Sequence, residues 1–431
     1  MIRALLALLI LAAPAAAQTV PPPPAPAIAA SPALQSRIDA LPAILNGTGD
    51  FDSYFSTAFK AQVSKAQFAG LNTRIAAQVG PPVRVESVTP TAPHAASVML
   101  GFARGVATIL IAVDPAPPHV VTGLRITQVV PRGDSLAAID TDLRALPGTT
   151  AVAIHALGAG ATRSVHRLDG DRALPIGSAF KLWVLAEAVR QVNAGERAWR
   201  DVVTLGPRSL PTGATQAWPV ASPVTLHTLA TLMISISDNT ASDTLMTALG
   251  RAPVDAIVAT TGVAAPAATL PLLTTMEALR LKAPANADLA ARWRVADPAA
   301  RRKLLHDNAA RLAATRVDAA MFGDRPLALD VEWFASPDDV ARTLDWLRVK
   351  GGDQALGMLA INPGGASPAL FDYVGYKGGS EPGVIFGAWL VRTKQGNWYA
   401  VTGGWTNPAA RIDEAKFLLL MNRALSQIAP R

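Results

Sequence analysis

At 431 residues the chain exceeds one typical domain, and two or three are expected. Half its residues are hydrophobic and 16% are charged, which allows large buried cores and excludes global disorder. The formal charge of +7 would suit nucleic acid, but the basic residues are scattered, with no run longer than Arg301-Arg302-Lys303, so a solvated basic surface is expected instead.

The first elements are read as processing signals. MIRALLALLILAAPAAAQ combines Arg3, a short apolar core and Ala15-Ala16-Ala17, the pattern of a cleavable secretory signal over residues 1–17. The apolar run is too short to span a bilayer, and no other segment reads as a membrane span. A secreted or periplasmic location is therefore expected. The chain has no cysteine, which excludes lipoprotein attachment, a disulfide framework and cysteine-based zinc sites. Residues 18–32 are Pro/Ala-rich and read as an extended linker.

From 33 to about 80 the pattern is helical. Asp50, Asp52 or Ser53 would cap a helix carrying Phe51, Tyr54, Phe55 and Phe59, and Gly80-Pro81-Pro82 ends the region. Four β-branched runs follow: VRVESVTP, AASVMLGFA, VATILIAVD and VVTGLRITQVV, with a turn at Arg104-Gly105. Helices followed by antiparallel strands predict an α+β domain over 33–133. That order resembles the ketosteroid-isomerase-like (NTF2-like) fold. A second domain is expected over 134–431. It opens with a helix near Asp140–Ala145, the strand AVAIHALG and a continuing hairpin. A helical stretch over about 224–350 precedes three strands, YVGYKGGSE, GVIFGAWLVRT and NWYAVTGGWT, and a terminal helix. Helices inserted between early and late strands of one antiparallel sheet predict an α/β sandwich.

Three short motifs lie in this domain. Ser178-Ala179-Phe180-Lys181 opens an apolar helix, and residues three apart share a helix face. Ser237-Asp238-Asn239 sits inside TLMISISDNTASDTLM, and Lys377-Gly378-Gly379-Ser380 lies in a glycine-rich strand. Taken singly, the second is also a helix-capping pattern and the third an ordinary edge-strand lysine. In this order and spacing they carry chemistry. A serine hydroxyl needs a base, and a lysine supplies one when burial and a neighbouring cation lower its pKa.

On these motifs, and on the flanking SVHRLDGDRALPIGSAFKLWVL, the region from about 140 onward resembles the penicillin-recognising serine hydrolases, most closely the class A β-lactamase-like group. With the N-terminal pattern, the whole is similar to the two-domain β-lactamase-like type found in clavulanic acid biosynthesis. The resemblance implies a β-lactamase/transpeptidase-like sandwich and acyl transfer to water without a cofactor. It implies Ser178 as nucleophile, Lys181 as general base, Ser237 as proton relay and Lys377 as electrostatic support. Asn239, Gly379 and Ser380 would bind substrate, and the backbone N–H groups of Ser178 and Ser380 would hold the oxyanion.

The sequence departs from that family in three places. Residues 240–276 contain no Glu to activate a deacylating water, and Glu277 follows Thr274-Thr275 as a first-turn helix acid. Ser237 and Lys377 are 140 positions apart, the excess reading as helix over about 275–325. Gly378 stands where the family places Thr or Ser. Weak β-lactam deacylation is therefore expected, on a β-lactam, ester or peptidoglycan-derived acyl substrate. A D,D-peptidase and a non-catalytic penicillin-binding or sensing module are the alternatives. The six histidines, at 94, 119, 155, 166, 227 and 306, show no metal-ligand spacing, and no metal is expected.

Overall fold

The computed structural model describes residues 28–158, 162–318, 323 and 325–429. The signal segment 1–17 and residues 18–27 of the linker lie outside them. The chain divides into two compact units. One comprises the residues up to Lys65, Arg84–Leu100 and Thr108–Gln128; the other comprises Ala66–Val83, Gly101–Ala107 and everything from Val129.

The first helices are Pro32–Asp39, Leu41–Leu45, Phe51–Tyr54 and Thr57–Gln62, with Lys65–Val79 after them. Ser31, Asp50 and Ser56 cap three of them through their side-chain oxygens. The single helix expected to carry Phe51, Tyr54, Phe55 and Phe59 is instead two, broken where Phe55 and Ser56 turn extended, but the rings still cluster: Phe55 stacks on Phe59 at 4.1 Å and meets Phe51 at 5.0 Å. Gly80, at φ +80°, turns the chain out of the helix. Four strands follow, β1 (Pro82–Ala92), β2 (Ala95–Phe102), β3 (Gly105–Val113) and β4 (Val121–Pro131), in sheet order β1-β2-β3-β4. The two-residue connections 93–94 and 103–104 are the length that joins antiparallel neighbours. A Cβ at Gly105 would stand 2.5 Å from a Val79 methyl and 2.7 Å from the Val130 carbonyl, so only glycine fits that turn.

The larger unit is built on a five-stranded antiparallel sheet. Its strands are β5 (Thr149–Leu157), β6 (Thr162–Leu168), β11 (Phe371–Glu381), β12 (Val384–Thr393) and β13 (Trp398–Thr406), in order β11-β12-β13-β5-β6. Short pairs β7 (Leu174–Pro175) with β10 (Phe334–Ala335), and β8 (Val202–Thr204) with β9 (Pro223–Thr225), complete the strands. The period of two in β12 explains why the sheet has two cores. Phe386, Ala388 and Leu390 face the helical core, whereas Ile385, Trp389 and Val391 pack with Phe417, Leu420 and Met421 of the terminal helix Glu414–Ile428.

The helix Lys181–Asn193 runs through the middle of the first core, with every residue from Lys181 to Val189 buried. A helix apolar on all sides belongs inside a protein. The helices Thr275–Lys282, Ala287–Val295, Pro298–Asp307 and Ala309–Ala314 occupy the excess segment and contribute Leu281, Leu289, Trp293, Leu304 and Leu312 to this core. Two findings refine the sequence reading. The stretch read as wholly helical contains β10, and Ser178 lies in a 3₁₀ turn, Gly177–Phe180, before the α-helix begins at Lys181. Spacing of three eclipses side chains in a 3₁₀ turn, so Ser178 and Lys181 still share a face.

Candidate active site

The turn that carries Ser178 is clamped on both sides. Phe180 stacks on Trp333 at 4.1 Å, and Ile176 N–H donates to the Trp333 carbonyl at 2.9 Å. On the other side lies edge strand β11. A Cβ at Gly379 would stand 2.2 Å from the Ile176 carbonyl oxygen and 2.4 Å from the Ser178 nitrogen, and a Cβ at Gly177, itself at φ +48°, 3.2 Å from the Ser380 nitrogen. The two backbones approach this closely only because both positions are glycine. Replacing Gly379 by Ala must push the strand from the Ser178 turn, since the clashing atoms are backbone. We expect acylation by Gly379→Ala protein to fall at least 100-fold with the melting temperature shifted by only a few degrees, measured by stopped-flow and calorimetry.

Ser237 occupies the turn between helices Leu226–Ser235 and Asn239–Leu249 at φ +58°, a left-handed conformation unusual for serine. The turn holds it there. Asp238 N–H donates to the Leu232 carbonyl, and the buried Asp238 carboxylate caps the second helix at Ala241 N–H. The same carboxylate accepts from Ala214 N–H, Thr215 N–H and the Thr215 hydroxyl. Asp238 is thus a helix cap, and its neighbours Ser237 and Asn239 are what the cap presents.

Both lysines converge on Ser237. Lys181 Nζ lies 3.2 Å from Ser237 Oγ, and donates to the Ser237 carbonyl at 2.7 Å and to Asn239 Oδ1 at 2.6 Å. Lys377 Nζ donates to Ser237 Oγ at 3.1 Å and to the Gly378 carbonyl. Both amines are buried. Burial pushes Lys181 down to about 7, against the opposing pull of Asp243 and Asp238. Burial, and then the charge of Lys181, pushes Lys377 well below the ordinary lysine value. A lysine near neutrality carries the lone pair a base needs.

Ser178, Ser237, Asn239, Lys377, Gly379 and Ser380 all line one cleft of about 310 Å³. Asn239 is turned inward: its oxygen is on Lys181, and Nδ2 donates to the Leu210 carbonyl at 2.8 Å. Glu277 is engaged elsewhere. It closes a capping box with Thr274 and takes Arg251 on both oxygens at 2.6 Å. Gly378 has a steric reason: a Cβ there would lie 2.0 Å from the Tyr376 hydroxyl oxygen.

Three residues of the site escape sequence reasoning. Half-buried Asp243 accepts from Ser209 Oγ at 2.5 Å and from Thr275 N–H at 2.7 Å; it lies four residues beyond Asn239 on the same helix face, a spacing that could have flagged it. Tyr376 and Glu414 also line the cleft. Tyr376 is one residue before the motif lysine, whereas Glu414 reads only as the first-turn acid of the last helix.

Among the described residues no group of three or more His, Asp or Glu side chains is arranged to hold a metal ion, and no helix is long and apolar enough to cross a membrane.

Residues 135–307 match a family model described as the beta-lactamase enzyme family. No curated protein matches. Similar solved structures include a β-lactamase from Chitinophaga pinensis DSM 2588, with TM-score 0.48 and 18% identity over 68% of this chain and 97% of that one. A β-lactamase from Sphaerobacter thermophilus DSM 20745 follows, with TM-score 0.46 and 22% identity over 68% and 98% of the two chains. PBP-A has TM-score 0.45 and 18% identity over 68% and 94%. Ser178, Lys181 and Ser237 all fall within the stretch that the family model matches, so the segment that carries the cleft is similar to the beta-lactamase enzyme family.

Proposed function

We propose that the protein is an exported enzyme that transfers an acyl group to water through an ester on Ser178. The reading rests on one observation above the rest: two buried lysines meet at Ser237 Oγ, 3.2 and 3.1 Å away, beside the serine turn. In the first step the Ser178 hydroxyl proton passes to neutral Lys181, and Ser178 Oγ bonds to the substrate carbonyl carbon. The oxyanion forms between the N–H groups of Ser178 and Ser380. The bond to the leaving nitrogen or oxygen then breaks as that atom takes the Ser237 hydroxyl proton, which Lys181 replaces. Lys377 keeps Ser237 oriented and supplies positive potential. Asn239 holds Lys181 in place through its oxygen, leaving one amide hydrogen for substrate.

Deacylation is the slow half of the cycle. With Glu277 spent on Arg251 and its helix cap, and no Glu in 240–276, the water that attacks the ester depends on Lys181 alone. The same arrangement favours, as a second reading, a penicillin-binding protein whose acyl-enzyme persists. The 1–17 signal would export the chain, the 18–32 linker would precede an isomerase-like domain over 33–133, and the hydrolase would follow over 134–431.

Intact mass spectrometry with a fluorescent penicillin and nitrocefin, beside a p-nitrophenyl ester assay, tests this. The parent protein gains the mass of one acyl group, and Ser178→Ala gains none and loses ester turnover at least 1,000-fold. A lasting adduct without turnover favours the binding protein. No adduct and no hydrolysis removes the catalytic reading.

A further inference from the structure

The cleft wall beyond the nucleophile is unusual in its charge. Its lining side chains include two that carry an ordinary ionisable charge, Lys377 and Glu414. Lys377 lies deep, is driven toward its neutral form by burial, and is occupied with Ser237. Glu414 lies at the exposed rim; partial burial of its carboxyl raises it above the ordinary glutamate value, while the Ser380 hydroxyl, donating to the carboxylate, and Arg411 pull the other way and favour its ionised form. The carboxylate therefore sits one hydrogen bond from the residue whose backbone flanks the nucleophile.

The neighbouring position has lost its side chain as well. Gly378 offers no hydroxyl, and the space a side chain would enter holds the Tyr376 phenol, 2.0 Å from where a Cβ would stand. Tyr376 is pushed up to about 12, first by burial and then by Glu414, so it stays a neutral donor. The ring is fixed: Trp389 lies 4.9 Å away, and a Cβ at Gly364 would fall 2.3 Å from its carbons. A substrate running along Gly378–Ser380 meets a phenol, a serine hydroxyl and a carboxylate.

Given that Ser178 is the acylated nucleophile, we propose that Glu414, with Ser380 and Tyr376, selects acyl donors bearing an ammonium group on the part that lies along Gly378–Ser380 and disfavours donors bearing a carboxylate there. A carboxylate within a few ångströms of a bound ammonium in a half-open cleft is worth roughly ten-fold in rate or affinity, and the like-charged ligand loses by a similar factor. Arg411, exposed on the same rim, faces Glu414 and limits the effect without reversing it.

The test uses three matched p-nitrophenyl esters differing only in a terminal ammonium, carboxylate or uncharged group, with the parent protein, Glu414→Gln and Tyr376→Phe. Binding of the corresponding amides to Ser178→Ala is measured in parallel by calorimetry, so charge preference is read even if no ester turns over. The parent protein should favour the ammonium ester over the uncharged one about ten-fold, with the carboxylate ester slowest. Both ratios should shrink in high salt. In Glu414→Gln the ammonium-to-uncharged ratio should collapse toward one, and in Tyr376→Phe it should persist while all three substrates bind more weakly. Because the readout is a ratio within one protein, a partly unfolded preparation does not imitate it. A parent that prefers carboxylate, or a preference that survives Glu414→Gln, overturns the proposal. Ester inertness together with an ammonium preference in calorimetry would remove the hydrolase reading and leave this one standing.

Discussion

Lys181→Met should reduce acylation of Ser178 about 1,000-fold or more while making the protein relatively more stable at acid pH. The kinetic half follows from the position of the amine. Lys181 is fully buried, lies 3.2 Å from Ser237 Oγ, and is pushed down to about 7. Loss of a well-placed base costs between about 100- and 10,000-fold, and methionine keeps the volume without the lone pair. In the parent, acylation should rise with pH through about 7 as the ammonium gives up its proton, and that limb should vanish in the variant. The stability half has the opposite sense. A lysine lowered from 10.5 to about 7 leaves the folded protein with fewer bound protons than the unfolded chain between those values. Its cost is fully present below about pH 7 and fades as pH rises toward 10.5. On lowering the pH from 9 to 6, the variant should gain on the parent by roughly 2–3 kcal/mol, read from urea midpoints at each pH. A variant that keeps the acylation limb near 7 would remove Lys181 from the base role.

How far such chemistry is legible in a sequence depends on whether one short segment carries it. Ser178 and Lys181 are legible because a single turn presents both, and the apolar residues after them announce a buried helix. Ser237 is legible by motif, yet its left-handed φ of +58° and its place between two amines come from the Asp238 cap pulling in Ala214 and Thr215, a contact across more than twenty residues. The inward turn of Asn239 is likewise set by Leu210 and Lys181. The strands β12 and β13 are readable as short apolar runs bounded by glycine and polar residues, but which core each side chain faces is not, because both faces of the sheet are buried there. Glu414 is beyond reach of local pattern. Nothing near it in the chain points to Ser380, and only the packing of the last helix under the sheet brings the carboxylate to the cleft. Gly378 shows the converse: it reads as a missing hydroxyl, and the Tyr376 ring explains why no side chain fits.

That packing rests on one buried cation, and removing it should cause the largest loss of stability we expect from a single change outside the cleft. Arg423, on the helix Glu414–Ile428, has a fully buried side chain. It donates to both oxygens of Asp134 at 2.7 and 2.8 Å and to Asp142 at 2.5 Å. Asp134 is itself buried, just before the helix Leu136–Arg144. The planar guanidinium suits a two-point grip that lysine cannot reproduce. Arg423→Met would leave the Asp134 carboxylate buried and unpaired, which costs about 3–5 kcal/mol. The double variant Asp134→Asn with Arg423→Met removes both charges and should recover more than half of that loss, since a buried pair costs more to break than to replace. Denaturant midpoints of the parent, the single variants and the double variant check this. Equal instability of Arg423→Met and the double variant would mean that the side chain's volume, not its charge, holds the helix. The charge reading carries a functional corollary: helix Glu414–Ile428 also carries Glu414, so loosening its register at Arg423 should blunt the cleft's preference among charged esters before acylation itself is lost.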